Sequence, residues 1–295
     1  MVDGNRPQVS IIIPLYRRTG WIGKCLAALS CQNFDGIFEV IVIDDGSPNK
    51  EEIEGLVDEA RQFLGERLSF ARKENGGPAA ARNFGARFAS GELFCFLDDD
   101  SVPDPSWLRE IVRSFGESGV GLVCGRTIAY QRKAALPLLL ERTVYSGKCW
   151  ATNNIAYRRD VFESLNGFDE AFPEPSWEDN DLGLRARWAG FRHEYNPQAL
   201  IFHPHEETID EYRLKCRLNG RGAAAFSRKY LFRKPLWGLA TPFLMSRRLV
   251  YGILPSVWRG GLTEQYVQFL WSLFSLQGFW GACWSNKAYG KNQKG

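Results

Sequence analysis

Residues 93–100 read Leu-Phe-Cys-Phe-Leu-Asp-Asp-Asp, an apolar run that ends abruptly in three carboxylates. Five apolar residues in succession suit a strand covered on both faces, as in a parallel sheet. Ligands of open α/β sheets bind beyond the carboxyl ends of such strands. Ionised carboxylates that close repel one another unless a cation lies between them. Strand alternation puts Asp98 and Asp100 on one side and Asp99 on the other, so Asp98 and Asp100 are the pair suited to a divalent cation. The competing reading is an acidic turn capping the helix that follows Asp104-Pro105.

Three further groups carry chemistry. Asp44-Asp45-Gly46-Ser47 also ends an apolar strand, where acidic side chains accept hydrogen bonds from a base N–H or a ribose hydroxyl; the alternative is an Asp-Gly turn. Glu178-Asp179-Asn180-Asp181-Leu182 opens a helical stretch, preceded by Trp177 and the loop Phe172-Pro173-Glu174-Pro175, which together predict a walled pocket. The competing reading is an acidic first turn favoured by the helix dipole. His203, in a chain with three histidines, falls at the end of a strand and is a candidate metal ligand.

The elements that must position these groups follow from periodicity and breakers. Strands are predicted at Val9–Leu15, Phe38–Ile43, Leu68–Ala71, the Leu93 run, Val120–Cys124, Ala151–Tyr157 and Ala199–His203. Helices are predicted at Trp21–Gln32, Glu51–Leu64, Ala79–Ala89, Trp107–Phe115, Asp160–Leu165 and from Trp177 or Glu178 to Trp188, the last closed by Gly190. Further helices are predicted over 207–231, 241–255 and 262–280. Alternation of strand and helix implies right-handed crossovers and a doubly wound, mostly parallel sheet.

An apolar content of 44% with 24% charged residues fits a chain that buries a real core. The net charge of +3 conceals an asymmetry: residues 1–206 hold 23 Lys/Arg against 30 Asp/Glu, and residues 207–295 hold 14 against 4. A basic segment rich in Trp, Phe and Leu points to an anionic membrane surface. Its aromatics fall in apolar runs without RNA-binding signatures, so no nucleic-acid partner is expected. The seven cysteines are scattered, with no Cys-x-x-Cys pair, as in a reducing compartment. The N-terminus lacks the apolar core of a signal peptide, and no stretch of 18 uncharged apolar residues occurs. A cytoplasmic protein, peripheral on a membrane face, is the expectation.

The ordered set Ser10–Tyr16, Ile43–Ser47, Asn75–Asn83, Phe96–Asp100, Asn166–Glu170, Glu178–Leu182 and His203 resembles the family-2 glycosyltransferases of GT-A fold. The resemblance implies a Rossmann-like α/β sheet flanked by helices. It implies a nucleoside-diphosphate sugar as donor, UDP favoured, with Mg2+ or Mn2+ as cofactor and an inverting transfer to a glycan or lipid-linked acceptor. Pro14, Tyr16, Asp44 and Asp45 would hold the nucleoside. Asp98 and Asp99 would lie against the donor, with Arg82 and Asn154 at its phosphates or sugar. Asp98 and Asp100 match the family's Asp-x-Asp motif, with His203 as an extra ligand, and Asp179 matches its catalytic base. The Asp179 carboxylate, at a helix start, is expected to be held ionised by the dipole. The Gln-x-x-Arg-Trp motif of processive synthases is absent from 207–235, so one sugar would move per event, in polysaccharide or cell-surface glycan synthesis.

Residues 1–206 are thus expected to form the catalytic domain. Residues 207–295 would form a helical segment on a membrane or the acceptor side, with Arg247-Arg248 near the headgroups. The alternative to that contact is packing of Phe243, Leu244, Trp271 and Phe274 onto the catalytic domain. Two other readings compete. A sugar-nucleotide nucleotidyltransferase would carry a Gly-rich, Arg- and Lys-bearing loop after the first strand, where this chain has Pro-Leu-Tyr-Arg-Arg-Thr. A non-catalytic sugar- or lipid-binding protein on the same fold would show no donor hydrolysis or transfer.

Overall fold

The computed structural model describes residues 7–130, 147, 149–172, 175–204, 208–231 and 273–283. The chain divides into two compact units, the first comprising Met1–Tyr130, Thr143–Asp169 and Asp179–Pro204, the second Gln131–Arg142, Glu170–Glu178 and His205–Gly295.

The first unit is built on one eight-stranded sheet of order β3-β2-β1-β4-β7-β6-β8-β5. Its strands are β1 (Val9–Leu15), β2 (Phe38–Asp44), β3 (Leu68–Arg72), β4 (Leu93–Phe96), β5 (Val102–Pro103), β6 (Val120–Ala129), β7 (Ile155–Arg158) and β8 (Arg192–His203). The β3-β2-β1-β4 portion is parallel throughout, as the strand–helix alternation predicts. Beyond it β7 runs antiparallel to both β4 and β6, β8 is parallel to β6, and β5 antiparallel to β8. The sheet is therefore mixed, with four parallel and three antiparallel pairings. Two strand expectations shift: β7 begins at Ile155 rather than Ala151, and β8 at Arg192 rather than Ala199.

Both faces of the sheet are covered, which is why its strands read as unbroken apolar runs. Val9, Ile11, Ile13, Val40, Val42, Leu93 and Cys95 face one core with the helices α1 (Ile22–Ser30), α2 (Lys50–Leu64) and α4 (Trp107–Ser114). Ile12, Ile41, Ile43, Phe94 and Phe96 face the other. There α3 (Pro78–Ala86) contributes Ala79 and Ala81, and the Arg159–Ser164 and Glu178–Trp188 helices contribute Val161, Phe162, Leu182 and Ala186.

Pro14 lies in a central strand, where its missing N–H would ordinarily cost a ladder bond. The β1–β4 pairing ends at Ile12 and Phe96, with Leu97 N donating to Ile12 O. Alternation points residue 14 to the same side as residue 12, past the end of β4, so no bond is lost.

The second unit holds the Ile209–Leu231 helix and a helix over 273–283. They pack backbone to backbone: a Cβ at Gly220 would stand 1.9 Å from Ser275 O, and one at Gly278 would stand 2.1 Å from Arg217 O. Phe274 is buried, its ring beneath the Arg213 guanidinium at 4.8 Å. The predicted 241–255 helix, Phe243, Leu244, Arg247, Arg248 and Trp271 lie outside the described residues.

Close approach of α3 to the sheet yields a stability test. A Cβ at Gly85 would stand 2.7 Å from Ile12 Cγ2 and 3.0 Å from Ile43 Cγ1, both branch atoms of fixed strand residues. Overpacking of this kind costs about 1–3 kcal/mol, against about 1 kcal/mol gained from helix propensity. Gly85→Ala is expected to lower the urea midpoint at unchanged m-value; a higher midpoint would contradict the packing argument.

Candidate active site

The Asp triplet occupies a turn, since β4 stops at Phe96 and Ser101 N donates to Asp98 O at 3.0 Å. Strand alternation is therefore not what pairs Asp98 with Asp100; the turn does. One ligand atom each from Asp98, Asp100 and His203 lies within 4.8 Å of the others. His203 arrives through β5, the two-residue strand directly after the triplet. Its Val102 and Pro103 pair with Phe202 and Ile201 of β8, which sets the His203 Nε2 at 3.0 Å from Asp100 Oδ1. The His203 Nδ1–H faces the carbonyl of Pro204, so Nε2 is the ring atom turned to the carboxylates. Two carboxylates and an imidazole oriented through its other nitrogen form a donor set that fits Mn2+, or Mg2+ through the carboxylates.

Positive charge surrounds the triplet. Arg82, buried on α3, donates from Nη2 to Asp98 Oδ1 at 2.8 Å. Arg18, in the loop after β1, donates from Nη1 to Asp100 Oδ2 at 2.6 Å and lies 3.6 Å from Asp99 Oδ1. Asp99 is buried, and burial together with the neighbouring Asp100 charge pushes its carboxyl well above the usual range, with Arg18 opposing. Arg18 carries no signal in the sequence, where nothing in the polar loop distinguishes it from Arg17.

At the end of β2 the two aspartates do different work. Asp44 is buried, accepting from Ser47 N at 2.9 Å and from the Arg72 guanidinium. Asp45 accepts from Lys73 Nζ at 2.7 Å, Asn75 Nδ2 at 3.2 Å, Gly76 N at 3.0 Å and Gly77 N at 2.7 Å. Asp45 thus caps the start of α3, where the dipole favours an anion, and Gly77 reaches its position with φ 87. Tyr16 is exposed at the mouth of this region, with the Arg17 guanidinium 4.8 Å from its ring.

Asn154 departs from its expected place against a donor. It is buried, its Oδ1 accepting from Trp107 Nε1 at 2.8 Å and its Nδ2 donating to Arg126 O and Ala199 O, both at 3.0 Å. These bonds stitch β6, β8 and α4 together, a structural role.

Asp179 is half-buried, its Oδ1 accepting from Asn180 N at 2.7 Å and Asn180 Nδ2 at 2.8 Å. Burial pushes its carboxyl up to about 6; the Asn180 bonds and the Arg82 charge oppose, and Asp98 adds to the rise. Desolvation outweighs the bonds and the Arg82 charge that favour the ionised form. Asp181 is buried and accepts from Arg185 Nε at 2.8 Å. Arg185 also holds Leu165 O and Gly167 O. Asn83 grips Phe168 from α3 through two bonds of 2.9 Å, and the Phe168 ring lies 5.6 Å from the Arg82 guanidinium. A continuous set of contacts thus joins the helix of Asp179 to the arginine that holds Asp98. Trp177, expected to wall a pocket, donates from Nε1 to Asn219 at 3.0 Å and packs its ring on Phe226.

The chain is similar to proteins already known. Among curated proteins, glycosyltransferase AglE of Haloferax volcanii is 32% identical over 175 residues, 55% of this chain and 56% of that protein. The pre-mycofactocin glycosyltransferase of Mycobacterium tuberculosis is 27% identical over 234 residues, 73% of this chain and 47% of that protein. The chain spans about half the length of the curated relatives it matches. The mannosyltransferase PcManGT from Pyrobaculum calidifontis, solved with GDP-Man and Mn2+, superposes with a TM-score of 0.66 at 17% identity, covering 96% of this chain and 88% of that one. S. aureus TarS 1-349, solved with UDP-GlcNAc, gives 0.56 at 19% identity, covering 93% and 81%. These likenesses show a shared fold. A family model described as glycosyl transferase family group 2 matches residues 93–284, and the model for glycosyl transferase family 2 matches residues 10–169, more than half of the 295 residues. The chain belongs to glycosyl transferase family 2.

Proposed function

We propose that this glycosyltransferase is inverting and non-processive. It moves one sugar from a nucleoside-diphosphate sugar, UDP favoured by the resemblance, to a hydroxyl of a glycan or glycolipid. The observation that carries the reading is the convergence of Asp98, Asp100 and His203 at the carboxyl end of β4, with Asp179 close enough to feel the Asp98 charge. Support for the donor class comes from the fold neighbours solved with GDP-Man and with UDP-GlcNAc.

Asp98, Asp100 and the Nε2 of His203 would hold the divalent cation. When bound, it neutralises the diphosphate and stabilises it as a leaving group. Arg82 keeps Asp98 in place. The acceptor oxygen attacks the anomeric carbon from the face opposite the diphosphate. The bond to the diphosphate oxygen breaks, and the hydroxyl proton passes to the Asp179 carboxylate. A base with a pKa of about 6 is ionised at neutral pH yet basic enough to take that proton.

Asp179→Asn is expected to keep donor affinity close to wild type and to lose about 10²-fold or more in transfer rate. In the wild type the rate should fall about tenfold per pH unit below about 6, because protonation removes the base. The same shift sets a stability trend of opposite sense. Asp179 binds its proton more tightly folded than unfolded, so stability declines as pH rises from the unfolded value through about 6. Asp179→Asn should therefore melt higher than wild type at pH 7, the gap closing below about pH 4. Retained anomeric configuration in the product, or near-normal turnover by Asp179→Asn, would contradict the assignment.

Asp100→Ala is expected to abolish transfer with the fold intact by circular dichroism, and excess chelator should silence the wild type until Mn2+ or Mg2+ is restored. Full turnover in chelator would remove the cation from the mechanism.

The second unit carries a peripheral membrane contact in this reading. Leu214 is exposed, with exposed Arg217 and Arg221 on the same helical face, and Trp280 is exposed on the 273–283 helix. No described helix is long and apolar enough to cross a membrane. Each basic residue near an anionic surface contributes about 1 kcal/mol. Arg217→Glu with Arg221→Glu should markedly weaken sedimentation with phosphatidylserine vesicles at low salt, and high salt should do the same to wild type. Wild-type protein that ignores such vesicles at low salt would exclude the contact.

A further inference from the structure

Two arginines neutralise the triplet, and they are built differently. Arg82 is 4% exposed in its side chain and belongs to the core of α3; its partner Asp98 is 30% exposed. Arg18 reverses the pattern: its side chain is 63% exposed, while Asp100, which it meets at 2.6 Å, is 8% exposed. The carboxylate is fixed and the guanidinium reaches it from solvent. The backbone beside it is pinned, since Arg17 takes φ 64 and donates its N–H to Ser47 Oγ at 2.8 Å. Any movement that frees Asp100 from this contact therefore belongs to the Arg18 side chain.

We infer that Arg18 is a removable counter-ion of the cation site, holding Asp100 when no cation is bound and yielding that carboxylate when one arrives. The inference rests on the reading that Asp98, Asp100 and His203 bind a divalent cation. An arginine cannot discharge by losing a proton at any working pH. A divalent cation on Asp100 would stand against a full positive charge if Arg18 stayed; Arg82 is held in the core, whereas the exposed Arg18 guanidinium is free to relieve that repulsion by swinging into solvent. Without the cation, its charge offsets the repulsion between Asp98, Asp99 and Asp100. Arg18 is accordingly a positioning residue that competes with the ion for one carboxylate.

The test uses the full chain and Mn2+ alone, with free Mn2+ followed by its paramagnetic resonance, in wild type, Arg18→Gln and Arg18→Lys. Arg18→Gln is expected to bind Mn2+ about 2- to 5-fold more tightly, the factor set by an exposed ion pair that no longer has to break. Arg18→Lys, which restores the charge, should return toward wild type. In excess chelator Arg18→Gln should melt below wild type, and saturating Mn2+ should close that gap. Saturable binding that is equal or weaker in Arg18→Gln would overturn the counter-ion role alone. Absence of saturable Mn2+ binding in the wild type would instead overturn the cation reading, and this inference with it.

Discussion

Three carboxylates within three residues, two of them buried, must be kept from driving one another apart. Most features of the first unit answer that demand. Arg82 comes from α3, Arg18 from the loop after β1, and the His203 imidazole from the end of β8. Each reaches the triplet from a different part of the sheet, so electrostatic balance at one turn fixes the mutual placement of several elements. The cost of burying charge is met by pairing.

A similar economy governs the end of β2. Asp45 gathers a lysine, an asparagine and two backbone N–H groups from the 73–77 loop. That carboxylate replaces the anion that a helix start would otherwise attract. Asp44 closes the Gly46-Ser47 turn beneath it. Gly46, with φ 76, would bring a Cβ within 2.8 Å of Asn75 N, so the turn and the 73–77 loop lie too close for a side chain between them. The two aspartates are adjacent in the chain, yet one builds the turn and the other organises the loop and helix facing it.

Much of this was legible in the residues themselves. Strands covered on both faces announce themselves as apolar runs, so β1, β2 and β4 stand out, as do the acids that close β2 at Asp44 and follow β4 from Asp98. His203 was legible as a residue type, but not its partner, because the partnership depends on β5. Two residues of strand, Val102 and Pro103, leave no periodic trace and exist only through pairing with β8. Asn154 was placed at the donor by the resemblance alone; its three bonds inside the core belong to tertiary structure. For Asp179 the helix start was visible, and the packing whose desolvation raises its carboxyl was not. Arg18 differs from its neighbour Arg17 only in what lies opposite it in space.

The contact between His203 and Asp100 joins residues about a hundred positions apart. On a growing chain the aspartates therefore leave the ribosome long before the imidazole that completes their cluster, and β5 has no partner until β8 has been made. Closure of a loop that long is entropically late, and in folding it follows the local β-α-β pairings of the first half. The cluster is consequently assembled only when the first unit's sheet is complete. A nascent or truncated chain exposes carboxylates without the geometry that would let them act, which makes assembly of the site a readout of finished folding.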